Sequence, residues 1–414
     1  MDFRKIDKGW KVGDSKSITF IVTKDCQLAC KYCYLVGKNS KERLSWKTAK
    51  KAIDFLLTHE DDFKEESVIW DFIGGEPFLE IDLIDQICDY IKAEMFRLNH
   101  HWFNSFRFSF STNGINYDSE KVQRFIQKNR NHLSIGITID GTREKHDLNR
   151  IWKTKDGFSP KPEDEKGSYD DVVRNIPLWL KQFPDASTKV TISSADIKYI
   201  KDSVLHLYSL GIHEVNINVV FEDVWHEGDD LEFENQLMLL ADTIIDNDFY
   251  KDYACSFFNE HIGKPLLPVY DNGNWCGAGR MLAVDAAGNF YPCTRFAQYS
   301  LRDKKAWIIG NVNDGIDKNK LRPFLTLDRR TQSTQECFDC EVANGCAWCQ
   351  GENYDAAETT TAFQRSTAIC KMHKARVRAN NYYWNKLYRK LELQGIAREE
   401  AEKHVKNSNY QELC

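Results

Sequence analysis

Three cysteines within eight residues, Cys26, Cys30 and Cys33, constrain this chain more than any other feature. They form a C-x3-C-x2-C run directly behind an apolar, strand-like stretch, Ile18 to Val22. Three thiols this close cannot all pair as local disulfides. They can converge on three irons of one cubic iron–sulfur cluster. A four-iron cluster needs a fourth ligand, and no fourth cysteine lies nearby in the sequence. The remaining iron is then open to a small chelating molecule. A zinc knuckle competes with this reading, but zinc sites usually show paired C-x2-C units and four ligands.

The chain has 414 residues, enough for two or three domains. A net charge of −6 argues against a nucleic-acid footprint. No run of roughly 18 apolar residues is present, so no membrane span is expected. The polar start, Met1 to Lys5, lacks a signal-peptide core, and a cytoplasmic protein is expected. There are 13 cysteines, an odd count that cannot pair completely. In a reducing compartment, clustered cysteines point to metal ligands.

Hydrophobic spacing then gives the order of elements. Strands are predicted at 17–23, 68–73, 106–112, 133–139, 189–193 and 214–221. Helices are predicted at 46–58, 81–97, 119–129, 169–182 and 197–210, with Cys88 on an apolar stripe. A long polar loop is expected over 143–168, and an acidic helix-like run from Gly228 to Asp248. Strands alternating with helices imply a parallel sheet of repeated βα units, with chemistry at the C-terminal strand ends. The distinctive motifs fall there: the cysteine loop, Gly74-Gly75-Glu76-Pro77, Ser111-Thr112-Asn113-Gly114 and Asp140-Gly141.

With Tyr32 just before the last cysteine and the Gly-Gly-Glu-Pro segment behind a strand, residues 17–221 resemble the radical S-adenosylmethionine (SAM) superfamily. The resemblance implies an α/β fold, a partial (β/α)6 TIM barrel, with SAM on the open iron. Gly74, Gly75 and Glu76 match the segment that binds SAM's amino group in that family. Glycines allow close backbone approach, and a carboxylate suits an ammonium group. Ser111 and Asn113 lie where relatives contact the ribose and carboxylate, with turn capping as the plainer reading. Asp140 and Arg150 resemble a peptide-modifying subset, where Arg150 could pair with SAM's carboxylate. A structural role for Asp140 stays open.

The second half carries Cys276, Gly288 and Cys293, then Cys337-x2-Cys340-x5-Cys346-x2-Cys349, then Cys370. This resembles the SPASM domain, a cysteine-rich α+β extension that carries two auxiliary four-iron clusters. The family usually has three residues between the last two cysteines of the central group, and this chain has Ala347 and Trp348. A pair of zinc sites is the competing reading. By analogy, Cys337, Cys340, Cys346 and Cys370 hold the outer cluster, and Cys276, Cys293 and Cys349 the inner one. Cys255 is a candidate for the fourth inner ligand; otherwise that iron is open to a substrate thiolate. Together with the SAM-binding cluster, this makes three [4Fe-4S] clusters.

The expected domains are 1–235, a radical SAM barrel; 236–275, a bridging region; 276–374, the SPASM domain; and 375–414, a C-terminal helical segment. Cys414 reads as incidental. Most SPASM-bearing relatives modify peptides or proteins. In the sulfatase-maturating branch an aspartate follows the cysteine equivalent to Cys293, whereas Thr294 stands here. The run His146 to Arg150, with Gly167-Ser168-Tyr169 beyond it, looks most like peptide maturases of the ranthipeptide or sactipeptide type. The resemblance therefore implies thioether formation in a ribosomally made precursor peptide, with a flavodoxin or ferredoxin as reductant. Carbon–carbon crosslinking, sulfatase maturation and a non-catalytic iron–sulfur electron carrier or sensor are the alternatives. The 25 residues before Cys26 leave no room for the leader-binding domain of about 80 residues that many maturases carry.

Overall fold

The computed structural model describes residues 15–36, 40–157, 159–268 and 276–406. The polar N-terminus and Cys414 lie outside the described residues. The chain opens with β1 (Ser15–Thr23), α1 (Trp46–Thr58), β2 (Ser67–Gly74), α2 (Ile81–Arg97), β3 (Phe106–Thr112), α3 (Glu120–Asn129) and β4 (Leu133–Ile137). These strands are parallel and lie in sequence order. Next come α4 (Arg143–Asn149), α5 (Tyr169–Val173), α6 (Ile176–Gln182), β5 (Thr188–Ile192), α7 (Ile200–Ser209) and β6 (Glu214–Val219). β5 and β6 pair in parallel in a second sheet. The partial (β/α)6 barrel is therefore present, with a seam between β4 and β5.

At the seam a side chain replaces the ladder. The Thr188 hydroxyl donates to the Ile137 carbonyl at 2.8 Å and accepts from the Ile139 amide at 3.2 Å. Thr188 is fully buried, so both backbone groups depend on it.

The outer face of the first three strands is aromatic, and that of β4 is aliphatic, with Leu133, Ile135 and Ile137. Phe20, Trp70, Phe72, Phe108 and Phe110 are buried, with Phe110 in contact with Phe125 of α3. Alternate residues on the same strands point to the inner face. There the register aligns Thr19, Asp71, Ser109 and Ser134 side by side. Barrel interiors are usually packed with branched apolar side chains. This one is polar.

Three expectations are corrected. The stretch 143–168 is not all loop, because it contains α4 and a 3-10 turn at Pro162–Asp164. The buried side chains of α4 are Lys145, His146 and Asn149, which carry no apolar signal. The helix expected over 169–182 is two, since Pro177 sits in the first turn of α6 and cannot donate to a continuous helix. The helix expected over 197–210 begins with a 3-10 segment, Ser194–Tyr199, capped by the Ser193 and Asp196 pair.

After β6 comes α8 (Asp229–Asp246), which runs through the expected boundary at 235. β7 (Ala254–Cys255) then extends the second sheet beside β6. Beyond residue 276, the hairpin of β8 (Leu282–Val284) and β9 (Asn289–Tyr291) joins the first sheet, with β8 parallel to β1. The cysteine-rich region is thus built onto the barrel's first strand. The helix Cys370–Leu393 crosses the expected 374 boundary and closes the fold against α8, with Tyr382 and Lys386 bonded to Asp242 at 2.6 and 2.8 Å. Among the described residues, no helix is long and apolar enough to cross a membrane.

Thr188→Val is expected to lower the unfolding free energy by about 1–3 kcal/mol, because two buried backbone groups lose their partner. Thr188→Ser should cost less. Urea denaturation of both variants checks this.

Candidate active site

The first cysteine loop is clamped on two sides. On one side Gly75 and Glu76 donate backbone hydrogen bonds to the carbonyls of Thr23 and Asp25, at 2.9 and 2.8 Å. On the other, Ala29 and Lys31 donate to Ile151 and Asn149 at 2.8 and 3.0 Å, and Lys153 returns a bond to Gln27 at 3.0 Å. Cys26 is buried and Cys30 and Cys33 are half-buried. The two glycines are a steric requirement of this clamp. A Cβ on Gly75 would lie 2.1 Å from the Asp25 carbonyl oxygen, and one on Gly74 would lie 2.0 Å from that of Thr23. Gly74 also has a φ of +155°.

Glu76 is buried, and its carboxylate is already engaged. It accepts from the Thr112 hydroxyl at 2.6 Å, the Asn113 amide at 2.7 Å and the Phe78 amide at 3.0 Å. Burial pushes its pKa up, against the pull of those bonds. Its geometric work is to tie the end of β2 to the end of β3. The Asn113 side chain caps its own turn, accepting from Ile115 at 3.0 Å, and also donates to Gln27 at 3.0 Å. Ser111 is exposed on the inner face of β3, opposite Gly136.

Half-buried Tyr32 and buried Asp140 and Arg150 form one group beside Cys30. The Tyr32 hydroxyl donates to Asp140 Oδ2 at 2.6 Å and accepts from Arg150 Nη1 at 3.0 Å. Cys30 acts electrostatically on both Tyr32 and Arg150. His146 braces the group, with its Nδ1 accepting from the Asp140 amide at 3.3 Å. Burial pushes His146 down to about 3, so it is neutral at physiological pH. Two atoms of the group stay unpartnered and buried: the acceptor Asp140 Oδ1 and the donor Arg150 Nε. A small ligand with both cationic and anionic groups fits that pair, and a three-thiol loop fits a cluster with one open iron.

The remaining cysteines assort into two sets. Cys276, Cys293 and Cys349 act on one another electrostatically, and burial is the main reason the Cys293 thiol is pushed well up. Cys337, Cys340, Cys346 and Cys370 line one cavity of about 670 Å³. Burial pushes Cys346 up to about 11, opposed by Arg365, whose Nη2 lies 3.1 Å from its sulfur. The structure does not bring Cys255 to either set. It is buried on β7 among Tyr208, Tyr383 and Arg376, and burial pushes it up to about 12. Cys88 is buried in α2, among core residues.

One side chain joins the first cysteine loop to the trio of Cys276, Cys293 and Cys349, the inner trio. Tyr34 follows Cys33, lies near Cys293 as well, and carries the Arg295 guanidinium 4.9 Å above its ring. Arg295 in turn bonds Glu222, just beyond β6, at 2.9 Å and Glu352 at 3.0 Å. The inner trio therefore sits over the C-terminal ends of the barrel strands.

Residues 20–194 match the family model described as the radical SAM superfamily. Residues 20–194 thus form a radical SAM domain. The chain is 22% identical over 350 residues to the serine-type anaerobic sulfatase-maturating enzyme of Bacteroides thetaiotaomicron, covering 78% of each chain. Among solved structures it is similar to anSMEcpe with bound AdoMet, with a TM-score of 0.65 and 19% identity over 89% of this chain and 99% of that one. It is also similar to SuiB of Streptococcus suis bound to the precursor peptide SuiA, with a TM-score of 0.56 and 13% identity over 88% and 79% of the two chains. These likenesses establish the fold, and the cysteine-rich C-terminal domain is consistent with SPASM.

Sequence reasoning missed the charged groups of the barrel's inner face, Asp71 and Lys189. Asp71 accepts from Ser109 and Thr19, and burial pushes it up to about 6. Polar residues at matching register on four successive strands were the available signal.

Gly75→Ala is expected to bind about four fewer irons per chain on reconstitution, because the added methyl displaces the loop holding the first cluster. Circular dichroism should show the fold retained. Iron assay checks this, and an unchanged iron content would contradict it.

Proposed function

We propose that this enzyme is a peptide maturase that joins a cysteine sulfur to a carbon of a ribosomally made precursor peptide. When bound, SAM and its cluster supply a carbon-centred radical able to remove hydrogen from an unactivated carbon. Cys26, Cys30 and Cys33 would hold the cluster. The unpartnered atoms of Asp140 and Arg150 would orient SAM, with Gly74 and Gly75 setting the loop they face. Glu76 contributes by fixing the ends of β2 and β3.

The observation that carries the reading is Tyr34, which adjoins both Cys33 and Cys293. It supports a substrate held between the first cysteine loop and the inner trio. That trio has three thiols where a closed four-iron cluster needs four, and Cys255 stands elsewhere. A cysteine of the substrate peptide would complete the set, bringing its sulfur next to the carbon that loses hydrogen. Peptide binding is also supported by the likeness to SuiB bound to SuiA. Flavodoxin or ferredoxin would supply the electron.

Sulfatase maturation is the second reading, favoured by the match along 78% of the Bacteroides thetaiotaomicron enzyme. The position after Cys293 is Thr294, which brings no carboxylate to that place.

The test uses the anaerobically reconstituted enzyme with dithionite and SAM. It should form 5′-deoxyadenosine, and Cys26→Ala should abolish this. Cysteine-containing precursor peptides should lose two hydrogens and one alkylatable thiol per crosslink. Loss of two hydrogens with the thiol count unchanged would replace thioether by carbon–carbon linkage. Conversion of a sulfatase serine or cysteine to an aldehyde would establish the second reading instead.

A further inference from the structure

The inner face of the barrel holds a cation, Lys189, outside the group of Tyr32, Asp140 and Arg150. On β5, Thr188, Val190 and Ile192 are buried on the outer side, which turns Lys189 and Thr191 inward. Lys189 is exposed to solvent, yet Asp71 of β2 and Arg295 of the cysteine-rich domain both act on its charge. A side chain on the inward face of a barrel strand that water still reaches lies in an open part of the barrel interior, here called the chamber.

The chamber sits close to the site already described. Asp71 lies three residues before Gly74 and Lys189 three before the end of β5. At the rise of a strand, both are about 10 Å below the strand ends where the first cysteine loop is clamped.

The charged neighbours of Lys189 are otherwise occupied. Asp71 is held by Thr19 and Ser109. Arg295 is held by Glu222 and Glu352. Lys189 itself has no ion pair or hydrogen bond among the described residues. Desolvation is the largest influence on it and lowers its pKa; the repulsion of Arg295 adds to this and the attraction of Asp71 opposes it. An exposed ammonium without an ion partner attracts an anion that enters the same space.

We propose that Lys189 is a specificity residue that receives a carboxylate side chain, Asp or Glu, of the peptide substrate in the barrel chamber. The inference rests on the peptide-maturase reading for its substrate class. An acidic residue anchored about 10 Å below the strand ends fixes which neighbouring residue of the peptide reaches the SAM site. Lys189 acts by recognition and positioning and takes no part in the chemical step.

Affinity selection tests this with the reconstituted, SAM-bound enzyme and two pools of cysteine-containing decapeptides, identical except that one carries Glu where the other carries Gln. Bound peptides are counted by mass spectrometry. The wild type should retain Glu peptides about tenfold over Gln peptides, the size of effect expected for one charge-assisted hydrogen bond. Lys189→Arg should keep the preference, Lys189→Gln should reduce it to about one, and Lys189→Glu should invert it toward a matching Lys pool. In parallel, glutarate should slow acetylation of Lys189 by acetic anhydride, while glutaramide should not. Equal retention of the two pools by the wild type overturns the proposal. So does the absence of any retention together with no protection by glutarate. Failure of the maturase reading is a separate result: retained peptides would show the Glu preference but gain no SAM-dependent mass change.

Discussion

Two backbone hydrogen bonds, from Gly75 to Thr23 and from Glu76 to Asp25, extend the pairing of β1 with β2 past the end of the sheet. They work only because Gly74 and Gly75 have no Cβ to drive the chains apart. Cys26 starts where that pairing stops. The opposite flank of the loop is fixed by Asn149, the last residue of α4, and by Ile151 just beyond it. The geometry of three thiols is thus inherited from a sheet edge and a helix end, both rigid, and not from the loop's own preferences. The same strand, β1, carries β8 on its other side. Barrel and cysteine-rich domain share one sheet, which sets the inner trio at a fixed place relative to the first loop.

Much of this was legible in the residues. α1 and α2 were readable because their apolar positions repeat at helical spacing and are the ones buried. β3 was readable because Phe106, Phe108 and Phe110 alternate with polar residues. The α4 helix was not, since Lys145 is buried by an ion pair with Asp196 at 3.2 Å, and Asn149 by a hydrogen bond to the same carboxylate at 2.9 Å. Polar burial of this kind depends on partners far along the chain, which periodicity cannot see.

The site shows the same division. The cysteine sets were legible through the resemblance to radical SAM and SPASM sequences, which the count and separation of the thiols carry. The work of Glu76 was not, since a carboxylate after two glycines looks like a ligand group until Thr112 and Asn113 are seen to occupy it. Asp71 and Lys189 were hidden for another reason. On a strand, a residue facing a barrel chamber alternates like one facing bulk water, and only the closure of the barrel separates the two.

The account therefore turns on three cysteine sets of three, three and four, with Cys255 in none of them. Iron and sulfide analysis with electron paramagnetic resonance, on anaerobically reconstituted wild type and Cys255→Ala, tests this most directly. The account predicts about twelve irons per chain in both proteins, with unchanged spectra. A wild type holding about four irons, or zinc in place of iron, would contradict it, as would loss of one cluster in the Cys255→Ala variant.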